Sequence, residues 1–570
     1  MRLIKLSANQ PGFKTIHFNP QGLTLIVGVS SGGEQEGNSN GVGKSLALRL
    51  VHHCLGANAN KNFSEKLPEW VFRLDFEING QFHTIERSAD SKIITLDNQS
   101  IKLRNLTNWL NESGVFDLTA ASNLPITFRS LIKRFARLEK SDCIEPDSTA
   151  KETPFDALIR TLFLLGLDVS LVSRKHEFKK RIDALKSASQ LWKINPALHD
   201  MFRAGDDARI RANWLKDKIP ELKEQLGRMV VAENYRDLEQ EANRQTLLLR
   251  GISQEIELLK FQVKGISELL VEHPDVSSQE LLALYKGLEG VFKAEALKHF
   301  EAVEQFHSSL TESRKRRLLG DLTRINAEIE TKQFEQKKLE EQRDKLLQSL
   351  IGKTAFEEYR AVANQLAQQE QELKALNDYL EFDVNVNKET LSIKETMLHD
   401  THQAVTYLEN NPIAELETRY RTLTQPLYPN AASGITFENN TGENMMRYTF
   451  KPRLEGSGSD GIKDARLLCF DWLVFMHGAN HTMRFLWHDN RLFAHLDPGV
   501  RARWFSLVLT ELKSTEKQYI ATINAENYDS MLTWLSEKER AILESPGVKA
   551  LELRGNQPRD KLLGIQVDLQ

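Results

Sequence analysis

The sequence predicts an α/β fold in which one domain, called the head below, is divided into two halves by an inserted antiparallel coiled coil. An apolar stretch at 23–29 runs into a glycine-rich loop that ends in Gly43-Lys44-Ser45. From about residue 174 to 400 the composition changes to Glu, Gln, Lys, Arg and Leu, which is typical of long helices. After residue 410 the pattern of strands returns. The expected divisions are a first half-head at 1–173, a helical arm at 174–405 and a second half-head at 406–570.

The loop before residue 45 has the composition of a phosphate-binding loop (P-loop). Polyphosphate requires inward-pointing backbone N–H groups, an ammonium group, and a hydroxyl for magnesium. Gly41 and Gly43 let the backbone approach, Lys44 supplies the charge, and Ser45 supplies the hydroxyl at the positive end of a helix. Asn38 replaces the first glycine of the usual pattern, and asparagine tolerates left-handed conformations. The expected nucleotide-binding residues of this loop are Asn38, Asn40, Gly41, Gly43, Lys44, Ser45 and Leu46.

The sequence of the first half-head also predicts an antiparallel sheet beside the sheet that carries the P-loop. Two alternating stretches, 70–78 and 81–87, flank Asn79-Gly80, a pair that favours a type I′ turn and therefore a hairpin. Strands are also predicted at 3–6, 15–18 and 23–29, and the helix after the loop is predicted at 45–55.

A basic segment, FRSLIKRFAR, begins at residue 128 with a helical pattern. Arg129, Lys133, Arg134 and Arg137 would lie on neighbouring faces of that helix. Two interpretations stay open: a contact with phosphate or DNA, or a solvated helix face. The apolar residues at 158–171 predict a buried helix after it.

The central stretch predicts two helical arms that pair with each other in antiparallel fashion. Apolar residues of both arms step by three and four, the spacing of a coiled-coil seam. In the first arm they are Ile252, Ile256, Leu259, Val263, Ile266 and Leu270. In the second arm they are Leu322, Ile325, Ile329, Leu339, Leu346, Leu366, Leu373 and Leu380.

Other features of the arm predict where it is interrupted. The turn-back is expected near 273–275, with short helices through Phe306 and a helical tip at 271–310. Pro196 and Pro220 are expected to break or kink the first arm. The run of cations at 314–317 is either a DNA contact or a solvated face.

The second half-head is predicted from four strands, a glycine-rich loop and a buried helix. The loop LEGSGSDG at 454–461 precedes an apolar helix at 462–475. The predicted strands are 435–438, 446–452, 483–487 and 518–523. The third of these strands leads to Asp489, and the fourth leads to Asn524.

This order of parts resembles the ABC-type ATPases of the SMC, RecN and RecF group, and the resemblance covers essentially the whole chain. More narrowly, FRSLIKRFAR, Phe306-His307, FDW, HDNRLFAHLD and the strand ending in TIN are similar to a bacterial SMC-like family known only as a domain of unknown function. The resemblance implies ATP and Mg²⁺ as cofactors.

Site residues carry over by position from this resemblance. Lys44 and Ser45 match the Walker A lysine and hydroxyl, and Asp489 matches the Walker B aspartate that holds magnesium, commonly through water. Asp497 looks like part of the D-loop. The Gly/Ser loop matches the ABC signature, which in this family contacts the γ-phosphate held by the opposite subunit. Its residues are Ser457, Gly458, Ser459 and Gly461.

Two departures from the family pattern concern hydrolysis. Asn490 stands where a catalytic glutamate is usual, and an amide cannot accept the proton of an attacking water. Asn524 stands at the switch position, where histidine is usual. Asn490 could orient a water, as glutamine does in small GTPases, and His488, His495 or Asp497 could act as base. The catalytic candidates are therefore Asn490, Asp497 and Asn524, and we expect competent ATP binding with slow hydrolysis.

Composition adds weaker constraints. The 75 Lys and Arg residues against 79 Asp and Glu residues give a net charge of −4, so any basic surface must be local. Three widely separated cysteines disfavour disulfides and a zinc site and favour a cytoplasmic location. The longest apolar runs are too short to span a bilayer, so no membrane association is expected.

The leading hypothesis is a homodimer that sandwiches ATP between its heads and binds or senses double-stranded DNA. The resemblance implies a part in DNA repair or in anti-phage or plasmid defence. The alternative is a regulatory scaffold in which ATP is structural and the arms recruit an effector or accessory protein. A DNA-cleaving enzyme has little support, because no separate carboxylate cluster has nuclease-like spacing.

Overall fold

The computed structural model describes residues 1–29, 42–121, 124–193, 198–205, 207–228, 235–271, 294–348 and 355–567. The chain forms two compact units, Met1–Asp183 with Ser392–Gln570, and Ala184–Leu391. The first unit is the split head, and the elements described in the second are helices. The predicted turn at 273–275 and Pro196 lie outside the described residues.

The described elements follow the predicted order of strands, long helices and strands. The strands are β1 Arg2–Ala8, β2 Ile16–His17, β3 Gly22–Val29, β4 Val71–Ile78, β5 Gln81–Ser88, β6 Ile94–Leu96, β7 Gln99–Ser100, β8 Ser433–Asn439, β9 Tyr448–Leu454, β10 Phe485–His488, β11 Gln518–Asn524 and β12 Lys549–Arg554. The helices are α1 Lys44–Cys54, α2 Lys61–Lys66, α3 Leu103–Glu112, α4 Phe128–Leu131, α5 Pro154–Leu164, α6 Ser170–Lys193, α7 His199–Ala204, α8 Ala208–Arg228, α9 Tyr235–Val271, α10 Ala294–Gln348, α11 Ala355–Glu409, α12 Ala414–Thr424, α13 Asp460–His477, α14 Pro498–Leu512, α15 Ala525–Leu532 and α16 Glu537–Glu544.

The head is built on a parallel sheet that contains strands from both halves of the chain. The strand order is β10-β11-β3-β12, and all three pairings are parallel. Strands β3, β10 and β11 are almost entirely buried, which explains their continuous apolar runs. Pairing of β3 with β11 aligns Asn524 with Gly28. Strand β12, which the sequence analysis did not predict, completes the sheet.

The predicted antiparallel sheet is confirmed, with the order β2-β1-β4-β5-β6-β7. Strands β4 and β5 form the expected hairpin, in which Ile78 pairs with Gln81. Asn79 and Gly80 both have positive φ, 52° and 81°, as a type I′ turn requires. Strands β8 and β9 form a separate hairpin.

The first pair of long helices, α9 and α10, forms an antiparallel seam. Ile256 packs with Ile325 and Ile329 in one apolar cluster, with other predicted seam residues at its margin. The side chains of Ser253 and Gln336 are hydrogen-bonded at 3.2 Å. The sequence number therefore rises along one helix as it falls along the other, which confirms the inserted antiparallel coiled coil.

The second pair is α8 and α11, so the returning arm consists of two long helices. Leu376 of α11 is buried with Ala212, Leu215 and Ile219 of α8, and Leu366, Leu373 and Leu380 pack against this cluster. Pro220 lies inside α8, which continues to Arg228. Of the two outcomes expected at Pro220, a break or a kink, the break was therefore wrong, because Leu215 and Ile219 before the proline are buried against α11.

The prediction of short helices up to Phe306 was also wrong for the described part. Residues 294–306 are the first turns of α10, which is 55 residues long. Leucine and alanine between charged residues favour a continuous helix there. Within the described ranges, no helix is both long and apolar enough to cross a bilayer.

Candidate functional site

The described part of the predicted P-loop is its end, where α1 begins at Lys44. Gly43 has φ 109°, a backbone conformation that glycine adopts without strain. A Cβ at Gly43 would also overlap the side chain of Leu562, whose N–H donates to the Val42 carbonyl at 3.0 Å. Leu562 thus contacts the described end of the loop, at Val42 and Gly43. Asn38, Asn40 and Gly41 lie outside the described residues, and Leu46 is half-buried against the core of the head.

Lys44 is buried and lies across the backbone of Gly28 near the end of β3. A Cβ added to Gly28 would lie 2.7 Å from Cδ of Lys44 and closer still to Nζ, so only glycine leaves room for this side chain. Burial lowers the pKa of Lys44 to about 8, and the nearby Asp489 carboxylate opposes that shift. An ammonium group is therefore held in a poorly solvated position that an anionic ligand would stabilise.

Asp489 follows β10 and faces α1, because the carboxyl ends of parallel strands meet at one edge of the sheet. The Ser45 hydroxyl donates to its Oδ2 at 3.0 Å. Thr522, in β11, donates to its Oδ1 at 2.5 Å. Both carboxylate oxygens are thus fixed, one by each neighbouring element. Hydroxyl and carboxylate oxygens are the ligands that magnesium takes in P-loop sites, so Ser45 and Asp489 fit this ion.

Asn490 does not present its amide oxygen to a water. The backbone N–H of Asn524 donates to its Oδ1 at 2.7 Å, and Nδ2 of Asn527 donates to the same atom at 3.3 Å. A backbone N–H can only donate, so the orientation of the Asn490 amide follows without ambiguity. Because this oxygen already accepts two hydrogen bonds, it is not placed to orient a water in the way that glutamine does in small GTPases.

The other catalytic candidates lie in different surroundings. Asn524 caps α15, and its side-chain oxygen is buried without a hydrogen-bond partner in the described structure. Asp497 is exposed at the start of α14. His495 is exposed and hydrogen-bonded to Asp464 at 2.9 Å.

His488 belongs to a buried network and is excluded as a base in this arrangement. The Trp504 indole donates to the Tyr519 hydroxyl at 3.0 Å, the Tyr519 hydroxyl can then donate to Nδ1 of His488 at 2.9 Å, and Nε2–H faces Asp471 at 3.3 Å. Burial lowers the pKa of His488, and Asp471 opposes the shift. Both ring nitrogens are used, so the imidazole is structural.

The Gly/Ser loop lies next to the segment of the same chain that was predicted to be the D-loop. A Cβ at Gly461 would lie 2.6 Å from the carbonyl oxygen of His495, so glycine permits this close approach. Gly458 and Ser459 are exposed before α13, and Ser457 donates to the Leu454 carbonyl.

Two arginines of the basic segment after residue 128 are buried in ion pairs. Arg137 is buried and forms a bidentate pair with Asp471, both contacts at 2.7 Å. Arg134 is buried and paired with Glu152 at 2.9 Å, and Arg129 donates to the Leu55 carbonyl at 3.1 Å. Arg129 and Lys133 are half-buried. These carboxylates lie too far along the chain for helical spacing to reveal them, so both interpretations of this segment were wrong for Arg134 and Arg137.

Three further residues of the site were missed by sequence reasoning. Gly28 and Thr522 could have been suspected, because each interrupts an apolar strand near its carboxyl end. Arg491 is 3.4 Å from Asp489 through Nε and donates to the Leu138 carbonyl at 3.2 Å. Nothing in its local sequence indicated these contacts. In the described residues, no group of three or more His, Cys, Asp or Glu side chains could hold a metal ion alone.

The fold and these positions define a split α/β head of the P-loop type with an inserted antiparallel coiled coil. A family model described as "Uncharacterised protein conserved in bacteria (DUF2326)" matches residues 423–567, which confirms the resemblance of this part to a bacterial family of unknown function. The chain is 22% identical to the "Uncharacterized protein YydD" of Bacillus subtilis (strain 168) over 601 residues, and 98% of each chain is covered.

Solved structures of SMC heads are also similar to the chain. The SMC head domain with a coiled coil and joint from Pyrococcus yayanosii is 14% identical, with 94% of both chains covered and a TM-score of 0.35. The SMC head domain from Pyrococcus furiosus, with an extended coiled coil and bound to the C-terminal domain of ScpA, is 13% identical. The match covers 94% of this chain and 92% of the Pyrococcus furiosus chain, with a TM-score of 0.31.

Proposed function

We propose that this protein binds ATP and Mg²⁺ at the edge of the parallel sheet. The observation that carries the proposal is the hydrogen bond of 3.0 Å between Ser45 and Asp489, which joins the two halves of the head beside the buried Lys44. Lys44 would neutralise the outer phosphates. Ser45 and Asp489 would hold magnesium, which shields phosphate charge when it is bound.

Hydrolysis by this site is proposed to be slow. Asn490 stands where a base is expected, and both acceptor positions of its oxygen are used by Asn524 and Asn527. A water near the terminal phosphate would therefore lack a strong proton acceptor at this position. An amide oxygen such as that of Asn524 could at most orient a water, because an amide cannot remove its proton.

ATP is proposed to join two heads into a homodimer. The exposed Gly458 and Ser459 lie next to the D-loop segment through Gly461 and His495, so one surface carries both motifs. A nucleotide bound to one head could then be covered by the Gly/Ser loop of the other. Asp497 is exposed close by and would belong to the same interface.

Binding of double-stranded DNA is proposed for the arm, because Arg316 and Arg317 are exposed on α10. The buried arginines after residue 128 do not contribute. A part in DNA repair or in anti-phage or plasmid defence depends on this binding. DNA affinity should fall steeply with salt if phosphates are contacted, and Arg316→Glu with Arg317→Glu should weaken binding and reduce that slope by about two.

The second candidate function is an ATP-stabilised scaffold that recruits an effector protein through its arms. The geometry of Asn490 favours it, because a site without a base can hold ATP as a structural ligand. DNA-stimulated turnover separates the two functions, since the scaffold predicts none.

The experiment that tests the proposal is the mass of the protein in solution with and without MgATP. The expected result is a monomer that becomes a dimer with MgATP, and a Lys44→Ala variant that stays monomeric. An unchanged wild-type mass would contradict ATP-driven dimerisation. ATP binding by Lys44→Ala at wild-type affinity would contradict the site.

A further inference from the structure

Arg491 lies beside the only carboxylate that faces Ser45 in the described part of the site. Oδ2 of Asp489 accepts from the Ser45 hydroxyl at 3.0 Å and is 3.4 Å from Nε of Arg491. Oδ1 is held by Thr522 at 2.5 Å. The oxygen that would serve magnesium is therefore also the one that Arg491 contacts.

The far end of Arg491 is held at the edge of the sheet. Its Nη1 donates to the Leu138 carbonyl at 3.2 Å. Leu138 follows a short segment in which Ala136 pairs in parallel with Trp487 of β10. The side chain is 38% exposed, so it bridges two rigid points while part of it stays accessible to solvent and to a ligand.

The charges around Arg491 determine where its guanidinium group lies when a nucleotide binds. Magnesium at Asp489 and Ser45 would place two positive charges next to a guanidinium group that uses the same oxygen, and like charges this close repel each other. A polyphosphate brings negative oxygens into the same space, and guanidinium binds them with two parallel N–H groups. The terminal phosphate is the part of ATP that ADP lacks.

We propose that Arg491 distinguishes nucleoside triphosphate from diphosphate, and this rests on the proposed ATP site. Without nucleotide, Arg491 bridges Asp489 and the Leu138 carbonyl. When the magnesium-bound triphosphate occupies the site, the guanidinium leaves Asp489 and contacts the terminal phosphate. Arg491 is then a specificity-determining residue, and Lys44 serves triphosphate and diphosphate alike.

The test is the affinity of the full chain for fluorescent analogues of ATP and ADP with Mg²⁺, measured for wild type, Arg491→Ala and Arg491→Lys. Loss of a charge-assisted contact predicts that Arg491→Ala weakens ATP binding about tenfold or more, does not weaken ADP binding, and is partly rescued by lysine. Half-maximal ATP binding should also need less Mg²⁺, because a competing cation is gone. Arg453→Ala, an exposed position on β9, is the matched control.

Each other outcome overturns the proposal. Equal losses for ATP and ADP, or no loss for either, would show that Arg491 does not read the terminal phosphate, while wild-type binding would leave the proposed ATP site intact. Failure of the wild type to bind either nucleotide would overturn both. Arg491→Gln, which stays polar but removes the charge and the guanidinium group, must give the same result as alanine, and circular dichroism checks that each variant is folded.

Discussion

The hydroxyl of Ser45 donates to the carboxylate of Asp489, although 444 positions separate the two residues in the chain. Ser45 lies in the first turn of α1, which follows β3, whereas Asp489 follows β10 in the second half-head. Because the strands are parallel, their carboxyl ends meet at one edge of the sheet. The candidate site exists only when both halves have folded together.

The close approach of Lys44 to Gly28 predicts a selective loss of nucleotide affinity. Gly28→Ala puts a methyl group where the end of the lysine side chain lies, so the ammonium must move away from the phosphates. ATP affinity should fall about tenfold, as measured by titration calorimetry. Gly547→Ala, where a Cβ meets no atom within 4 Å, should bind ATP like the wild type. Equal affinities for both variants would contradict this role of Gly28.

The pKa of Lys44 predicts proton uptake on nucleotide binding. Burial lowers this pKa to about 8, and phosphate should raise it again, because negative charge favours the ammonium form. Above pH 8 part of the unliganded protein lacks this proton, so binding must take one up and the affinity must fall as the pH rises. Calorimetry at pH 8.5 in buffers of different ionisation enthalpy should show the uptake, and at pH 6.5 it should be nearly absent. Uptake that persists in Lys44→Met would assign the proton to another group.

The hydrogen bonds of Asn490 predict that one substitution accelerates hydrolysis. Asn490→Asp keeps an oxygen for the N–H of Asn524 and replaces the amide nitrogen by a carboxylate oxygen that can act as base. Turnover should rise at least about tenfold, measured as phosphate release. Asn490→Ala supplies no base and should show no rise. If the aspartate variant is no faster than the alanine variant, the missing base is not what limits the rate.

The buried pair of Arg137 and Asp471 predicts a loss of stability. Arg137→Met leaves the Asp471 carboxylate buried without its bidentate partner, which should lower the free energy of unfolding by about 3–5 kcal/mol. Urea denaturation measures the change. Arg104→Met, at an exposed position of α3, should change it by less than about 0.5 kcal/mol. A large selective loss of DNA binding with unchanged stability would restore the DNA interpretation of this segment.

Local pattern was sufficient to predict the split head, the hairpin at Asn79-Gly80 and the seam of α9 and α10. In each case, residues close in the chain specify the structure by periodicity or turn preference. The same reasoning placed Asp489 and Asn524 after strands, and the parallel sheet brings those strand ends together. Pro220 was misjudged because packing against a neighbouring helix outweighs a local preference.

The remaining features depend on partners distant in the chain. Arg137 looked like a surface cation because Asp471, which neutralises it, is 334 positions away. The role proposed for Arg491 depends on its contacts with Leu138 and Asp489, which only the folded structure brings together. The orientation of the Asn490 amide is set by the backbone of another strand. Such contacts follow from tertiary packing, and periodicity carries no information about them.

The central claim is that Ser45 and Asp489 act together on one magnesium–nucleotide complex. The most direct test is the affinity for ATP of the wild type, Ser45→Ala, Asp489→Asn and the double variant, with Mg²⁺ and with a chelator. The account predicts that each single variant weakens binding at least about tenfold only when Mg²⁺ is present. It also predicts that the double variant is no weaker than the poorer single variant, because both changes remove the same ion. Wild-type affinity in Asp489→Asn, or losses that simply add, would contradict it.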